Sequence, residues 1–306
     1  MHGLGQSGQV SPSLIEAGRP WAAKSYALRV NPERPLYFPV KPEPLRMQAG
    51  LARFGTEFGN GEADRLFFPR DDQSPRYLAE KSRVLALHPE RTRCSSAGQV
   101  EQRALAAAAE WLSRTLEREG LLAQSRLPLL ELGRELVEDF AILLRSPDGL
   151  DDRVIFLHAC FPSGWRPEHV IGKSFQQIHA RIPGIAGVTQ KSQSLALAMT
   201  ERGPYVRFVW TISADDELDH HPAQGRRLAW SEHTARGFLR VERQTTVPLA
   251  NHSASIFLIR TYLYGFDELS PGHRRTLSQA LALMPPELAR YKQLQSAIPR
   301  ALQLLT

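Results

Sequence analysis

Between two apolar runs, Asp139-Phe-Ala-Ile-Leu-Leu144 and Arg153–Ala159, stands Pro147-Asp-Gly149. Proline presets φ for the first central position of a turn and glycine takes a left-handed backbone without strain. The two runs are therefore predicted to fold back on each other as an antiparallel hairpin. A second pair, Phe238–Thr246 and Ala254–Tyr264, is joined by residues 248–253 and predicts another hairpin. Pro204–Ile212 alternates as a further strand. On the strand from Phe238, Glu242 and Gln244 share one sheet face and Arg243 points to the other.

Helical segments lie between these strands, which places the chain in the α+β class. Pro75 begins a predicted helix to about His88, ended by Pro89. Over residues 99–119, Val100, Ala104, Ala108, Leu112 and Leu116 recur at helical spacing, alanines raise helix propensity, and Gly120 stops the run. A helix from Pro128 through Leu132, Leu136 and Val137 passes into the first strand at Glu138-Asp139. Those carboxylates suit either a polar ligand or the backbone amides of the junction. Residues 188–199 read as a helix-like linker, and helices are expected over 269–283, capped by Ser270-Pro271, and over 286–304. Residues 1–35, rich in Gly, Ser, Pro and Arg, read as a flexible lead-in. The domain proper is expected over 36–306, opening with a proline-interrupted extended segment.

The stretch from Cys160 to Pro183 is the candidate working centre. Pro162-Ser-Gly-Trp165 breaks regular structure and leaves a rigid aromatic corner. Pro167 suits a first helical turn, Gly172 interrupts it, and Ser174 can cap a second short helix ended by Pro183-Gly184. Phe175, Ile178 and His179 fall at i, i+3 and i+4, which puts His179 on or beside the apolar face. A histidine so placed is either a core imidazole satisfied by a carbonyl or an axial ligand to haem iron. Pattern alone leaves both open, with His158 the next candidate ligand.

Phe161-Pro-Ser-Gly-Trp165, Gly172-Lys173, Ile178-His179 and Ile182-Pro-Gly184 resemble the signature of the haem-dependent oxidative N-demethylase alpha-subunit family. The resemblance extends to Arg46-Met47 with Gly50-Leu51, the Leu-Val-Glu-Asp-Phe segment, Arg207 with Trp210, Glu242-Arg-Gln-Thr245 and Ile259-Arg-Thr-Tyr262, covering roughly residues 36–300. It implies a PAS-like antiparallel sheet with flanking helices around haem b, and oxidation of small secondary methylamines with dioxygen. It further implies His179 as iron ligand and cofactor contacts from Lys173, Trp165, Arg207, Arg243 and Arg260, with Lys173, Arg243 and Arg260 pairing with haem propionates. Glu138, Glu242 and Gln244 are then the groups that could hold an amine. Val170, Val209 and Pro248 stand where the family usually has polar or basic residues. Those departures point to an altered substrate, or to a second reading: a haem-binding sensor or ligand-binding module without catalysis. A haem-free scaffold for an apolar ligand is the third.

The resemblance also implies electrons from separate flavin and iron–sulfur subunits, and the chain, with neither a Rossmann or P-loop glycine pattern nor cluster-forming cysteines, would depend on such partners as an oxygenase. Its 306 residues carry a net charge of +6 from arginines scattered without a basic block, which argues against nucleic acid as partner. Only Cys94 and Cys160 occur, and neither an apolar run of membrane-spanning length nor an apolar leader is visible, so a cytoplasmic, membrane-free protein is expected. Asp215-Asp-Glu217 and Asp219-His-His221 have metal-ligand residue types, but adjacent histidines cannot face one ion together, and a solvated loop is expected there.

Overall fold

A computed structural model describes residues 34–306 apart from 47, 96–97, 124–125, 147, 150, 185–191 and 225–229. Most of the expected lead-in, and the start of the expected linker at Val188, lie outside the described residues. Strands β1 (Ala52–Arg53), β2 (Thr92–Cys94), β3 (Asp139–Arg145), β4 (Asp152–His158), β5 (Tyr205–Ser213), β6 (Phe238–Leu249) and β7 (Ala254–Gly265) form one seven-stranded sheet. Its order is β1-β5-β6-β7-β3-β4-β2, and every pairing is antiparallel.

Both expected hairpins are present. The β3–β4 turn closes with Gly149 N–H donating to Ser146 O at 2.9 Å, and Gly149 takes φ +74°. A one-turn 3-10 segment, Ala250–His252, followed by left-handed Ser253, joins β6 to β7. Within these two hairpins the strands pair by short turns, whereas the β7–β3 pairing joins the hairpins across the intervening chain.

Helices α1 (Ser74–Leu87), α2 (Gln99–Arg118), α3 (Leu129–Glu135), α4 (Phe175–His179), α5 (Ser192–Glu201), α6 (Pro271–Ala282), α7 (Pro286–Tyr291) and α8 (Ala297–Leu304) flank the sheet. The single helix expected over 286–304 is two. Gln293 turns left-handed at φ +57°, and Leu294 N–H reaches back to Ala289 O at 2.8 Å, ending α7.

One sheet face is fully covered. Ala104, Ala108, Leu112 and Leu116 of α2 are sealed against Phe140, Ile142, Ile256 and Leu258. Burial of a large side chain of this kind contributes about 1.5–3 kcal/mol. Farther along the same face, Tyr262 and Tyr264 pack with Leu277 and Ala301, under the extended segment that carries Tyr37 and Val40. Among the described residues the other face is only partly covered, by α4, α5 and the stretch that leads from β4 into α4. That incomplete layer leaves the cavity.

Candidate ligand cavity

The space over the second face measures about 790 Å³, within the usual range for small-molecule and cofactor pockets. Its floor alternates along the strands as a half-buried sheet must: Arg207 and Val209 of β5, Glu242 and Gln244 of β6, Phe257 of β7. Apolar Ala141 and Leu143 of β3 complete it. Trp165, Val170, Lys173, Phe175 and His179 form the roof.

Local sequence builds that roof. At Gly164, φ is +80°, a conformation glycine accepts freely. Its N–H donates to His220 O at 3.0 Å while His220 N–H donates to Pro162 O at 3.1 Å, tying the corner to the 215–221 loop. Its Leu218–His221 stretch is buried, contrary to the solvated loop expected, while Asp216 is exposed. His220 bonds Asp215 at 2.8 Å, His221 meets Glu168 at 3.1 Å, and Asp219 pairs with Arg91 at 3.1 Å. Its histidines are thus each engaged by a carboxylate, and Arg240, fully buried, donates to Phe161 O and Leu218 O to hold the same junction.

Gly172, at φ +78°, bonds Val154 O, and Val154 N–H returns a bond to Lys173 O at 3.0 Å. These bonds fall beside the register shift between Ile142 and Leu143 of the β3–β4 ladder, where Val154 pairs with Leu143. A reciprocal cap, Gln177 N–H to Ser174 Oγ at 3.2 Å and Ser174 N–H to Gln177 Oε1 at 3.0 Å, starts α4 as the serine predicts. Phe175 N–H is taken by Asp152 at 2.6 Å, which seats the helix on β4.

His179 Nδ1 lies 2.7 Å from Phe175 O. A carbonyl only accepts, so the proton is on Nδ1 and the lone pair on Nε2. Nε2 makes no hydrogen bond to a described residue, and the ring lines the cavity, 4.1 Å from that of Phe175. Burial lowers the His179 pKa, with Arg207 adding to the effect against the bond to Phe175, so the imidazole is neutral near pH 7.

His179, Lys173, Trp165, Arg207, Glu242 and Gln244 therefore share one cavity. Glu138, Arg243 and Arg260 do not, which corrects the grouping expected from sequence. Arg243 and Arg260 stand directly opposite each other across β6 and β7, on the face away from Glu242. Arg243 donates to Leu66 O at 3.0 Å and Arg260 to Asp71 Oδ2 at 2.9 Å. Glu138, 1% exposed, lies with Arg70 and Arg260 on that side. His158, the other ligand candidate, is sealed against Phe140 and so close to Gly133 that a Cβ there would fall 2.2 Å from its ring. It cannot reach the cavity.

Asp139, His158 and Cys160 bring ligand-type atoms within 4.8 Å of one another, all buried. Lys81 already supplies a cation there: its Nζ is 3.3 Å from Asp139 Oδ1 and donates to Glu138 O at 2.6 Å. Burial pushes the Cys160 thiol up, and together with Asp139 it disfavours the thiolate that a metal needs.

Sequence reasoning missed Met199 and Phe257, which wall the cavity, and Gln48 and Gln293 at its rim. Alternation along β7 could have supplied Phe257, two positions before Ile259 on the same face. Nothing local marks Gln48 or Gln293, which tertiary folding alone brings near.

The molecule is an α+β protein with one antiparallel sheet whose open face carries ionic groups under a helix that brings a neutral imidazole to a cavity of the size that takes a small molecule or cofactor. Residues 99–302 match the family described as haem-dependent oxidative N-demethylase, alpha subunit-like. The chain belongs to that family, whose name indicates haem dependence, oxidative chemistry and one subunit of a larger assembly. Among the described residues no helix is long and apolar enough to cross a membrane.

Proposed function

We propose that the chain is a haem b-binding oxidoreductase subunit that oxidatively N-demethylates an alkylamine, with residues 36–306 acting as one PAS-like unit in the cytoplasm. The observation that carries this reading is the His179 tautomer, fixed by Phe175 O, with Nε2 unbonded among the described residues and the residue lining a cavity of about 790 Å³. Metal-bound histidines commonly have their second nitrogen fixed in this way. His179 Nε2 would hold the iron, Trp165 and Phe175 would pack the macrocycle, and Lys173, exposed at the roof, would meet a propionate. When bound, haem supplies dioxygen activation, with electrons from separate flavin and iron–sulfur subunits.

The chain's own residues handle the amine. Glu242, its Oε2 accepting from Gln244 Nε2 at 2.9 Å, offers a carboxylate to an ammonium on the cavity floor. Phe257, Leu143 and Met199 exclude water around the methyl group. Val170 and Val209 line the same space and offer no side-chain hydrogen bond, which supports a substrate other than dimethylamine. They equally support the second reading, a haem sensor without turnover. Formaldehyde release in the presence of a chemical electron donor separates the two.

The deciding test is the pyridine haemochrome and Soret spectrum of the reconstituted protein beside His179→Ala. The wild type is expected to take up b-type haem, and the variant to lose the band or change its position and spin state. Identical spectra, or no uptake by the wild type, would overturn the assignment.

A further inference from the structure

Arg207 lies opposite Gln244, and Val209 opposite Glu242, so Arg207 and Glu242 are diagonal neighbours on the cavity floor. Long side chains reach across such a diagonal, and a guanidinium and a carboxylate in that relation ordinarily close a bidentate pair. Here they do not. Glu242 bonds Gln244 instead, and Arg207 Nε is buried without a hydrogen-bond partner among the described residues. Elsewhere on this sheet the buried guanidinium of Arg260 meets a carboxylate, Asp71, through Nη2, although its Nε and Nη1 also lack partners among the described residues; Arg207 has no carboxylate partner among them. A buried donor left without a partner is costly. The floor therefore holds an open couple, one cation and one anion side by side, both facing a space large enough for a ligand.

We infer that this couple selects an amphoteric ligand, an N-methylated amino acid whose carboxylate is taken by Arg207 and whose ammonium is taken by Glu242. The inference deepens the demethylase reading and rests on it for the term substrate, but the binding it describes does not need haem. A simple dialkylamine satisfies Glu242 alone and leaves Arg207 open. An N-methyl amino acid satisfies both, with its methyl group against the apolar wall of Leu143 and Phe257. A haem propionate is the other carboxylate that could fall on Arg207, and the test separates the two.

The test is isothermal titration calorimetry with dimethylamine and with N,N-dimethylglycine, on haem-loaded and haem-free protein, for the wild type, Arg207→Gln, Arg207→Lys and Glu242→Gln. Charge-assisted hydrogen bonds contribute about 1.5–3 kcal/mol, so the wild type should prefer dimethylglycine by roughly 10–100-fold. Arg207→Gln should bring that ratio close to one, Arg207→Lys should recover part of it, and Glu242→Gln should weaken both ligands. Thermal melts confirm that the variants are folded. Equal affinity of the wild type for the two probes overturns the inference. So does an Arg207→Gln protein that releases haem to apomyoglobin faster while keeping the full preference, because Arg207 then serves a propionate. If no form takes up haem, the demethylase reading falls, and titration of the haem-free protein still decides the amphoteric site.

Discussion

Arg260 and Asp71 show how much a single buried contact can matter in this protein. The guanidinium sits 2.9 Å from the carboxylate and 4.5 Å over the Tyr77 ring, with both charges about 1% exposed. The same carboxylate accepts from Gln73 N–H at 3.1 Å at the start of α1. Asp71→Ala strands a buried cation and should destabilise by about 3–5 kcal/mol, read as a lower urea midpoint. By contrast Arg65 and Glu57 are mostly exposed, and breaking that pair should cost at most about 1 kcal/mol. A urea midpoint for Asp71→Ala no lower than that for Glu57→Ala would show that burial does not set the strength of these pairs. Strand alternation places Glu242 and Gln244 on one face and Arg243 on the other, as the sequence predicts, whereas a motif carries no face information, and Arg243 and Arg260, matched by motif, face away from the cavity.

At the scale of elements, hairpins and long helices were legible because their signals are local: turn chemistry at Gly149, alternation through β5 and β6, helical spacing of Ala104, Ala108, Leu112 and Leu116. The two-residue β1 and three-residue β2 carry no such pattern, and they sit at the sheet edges. The order that puts β7 beside β3 depends on long-range pairing that no local signal records. The close approach of α3 to β4 was equally hidden. Gly133 has an ordinary backbone there, yet a Cβ would fall 2.2 Å from His158 Cδ2. Gly133→Ala should therefore destabilise by about 1–3 kcal/mol through overpacking. Combined with His158→Ala, its cost should shrink or vanish, a coupling that a double-mutant cycle in urea measures. Strict additivity would show that the two residues are not in conflict.

Over the whole molecule, the buried imidazoles set a pH dependence. Burial holds His158 well below its ordinary value and lowers His179. In the unfolded chain both take up protons as pH falls below about 6.5, while the folded state resists. Stability is therefore complete above that pH and is lost as pH falls through the range beneath it. Each such imidazole contributes up to about 1.4 kcal/mol per pH unit between its two pKa values. Glu119, Glu135 and Asp152, whose carboxyls burial raises, act in the opposite sense but nearer their own lower range. Urea unfolding between about pH 5.5 and 7.5 reads mainly the imidazoles, and a curve flat or rising toward acid would contradict their buried neutral state.

Floor and roof of the cavity come from different kinds of chain. The floor gathers β3, β5, β6 and β7 through the ladders that also hold the sheet together. The roof residues Trp165 to His179 form one stretch of sequence between β4 and β5, docked by the exchange of two bonds at Val154 and by the Asp152 carboxylate. Substitutions at its cavity-lining residues, Trp165, Val170 and Phe175, should alter what the cavity accepts without re-registering a strand, so that ligand preference and sheet are separable in this fold.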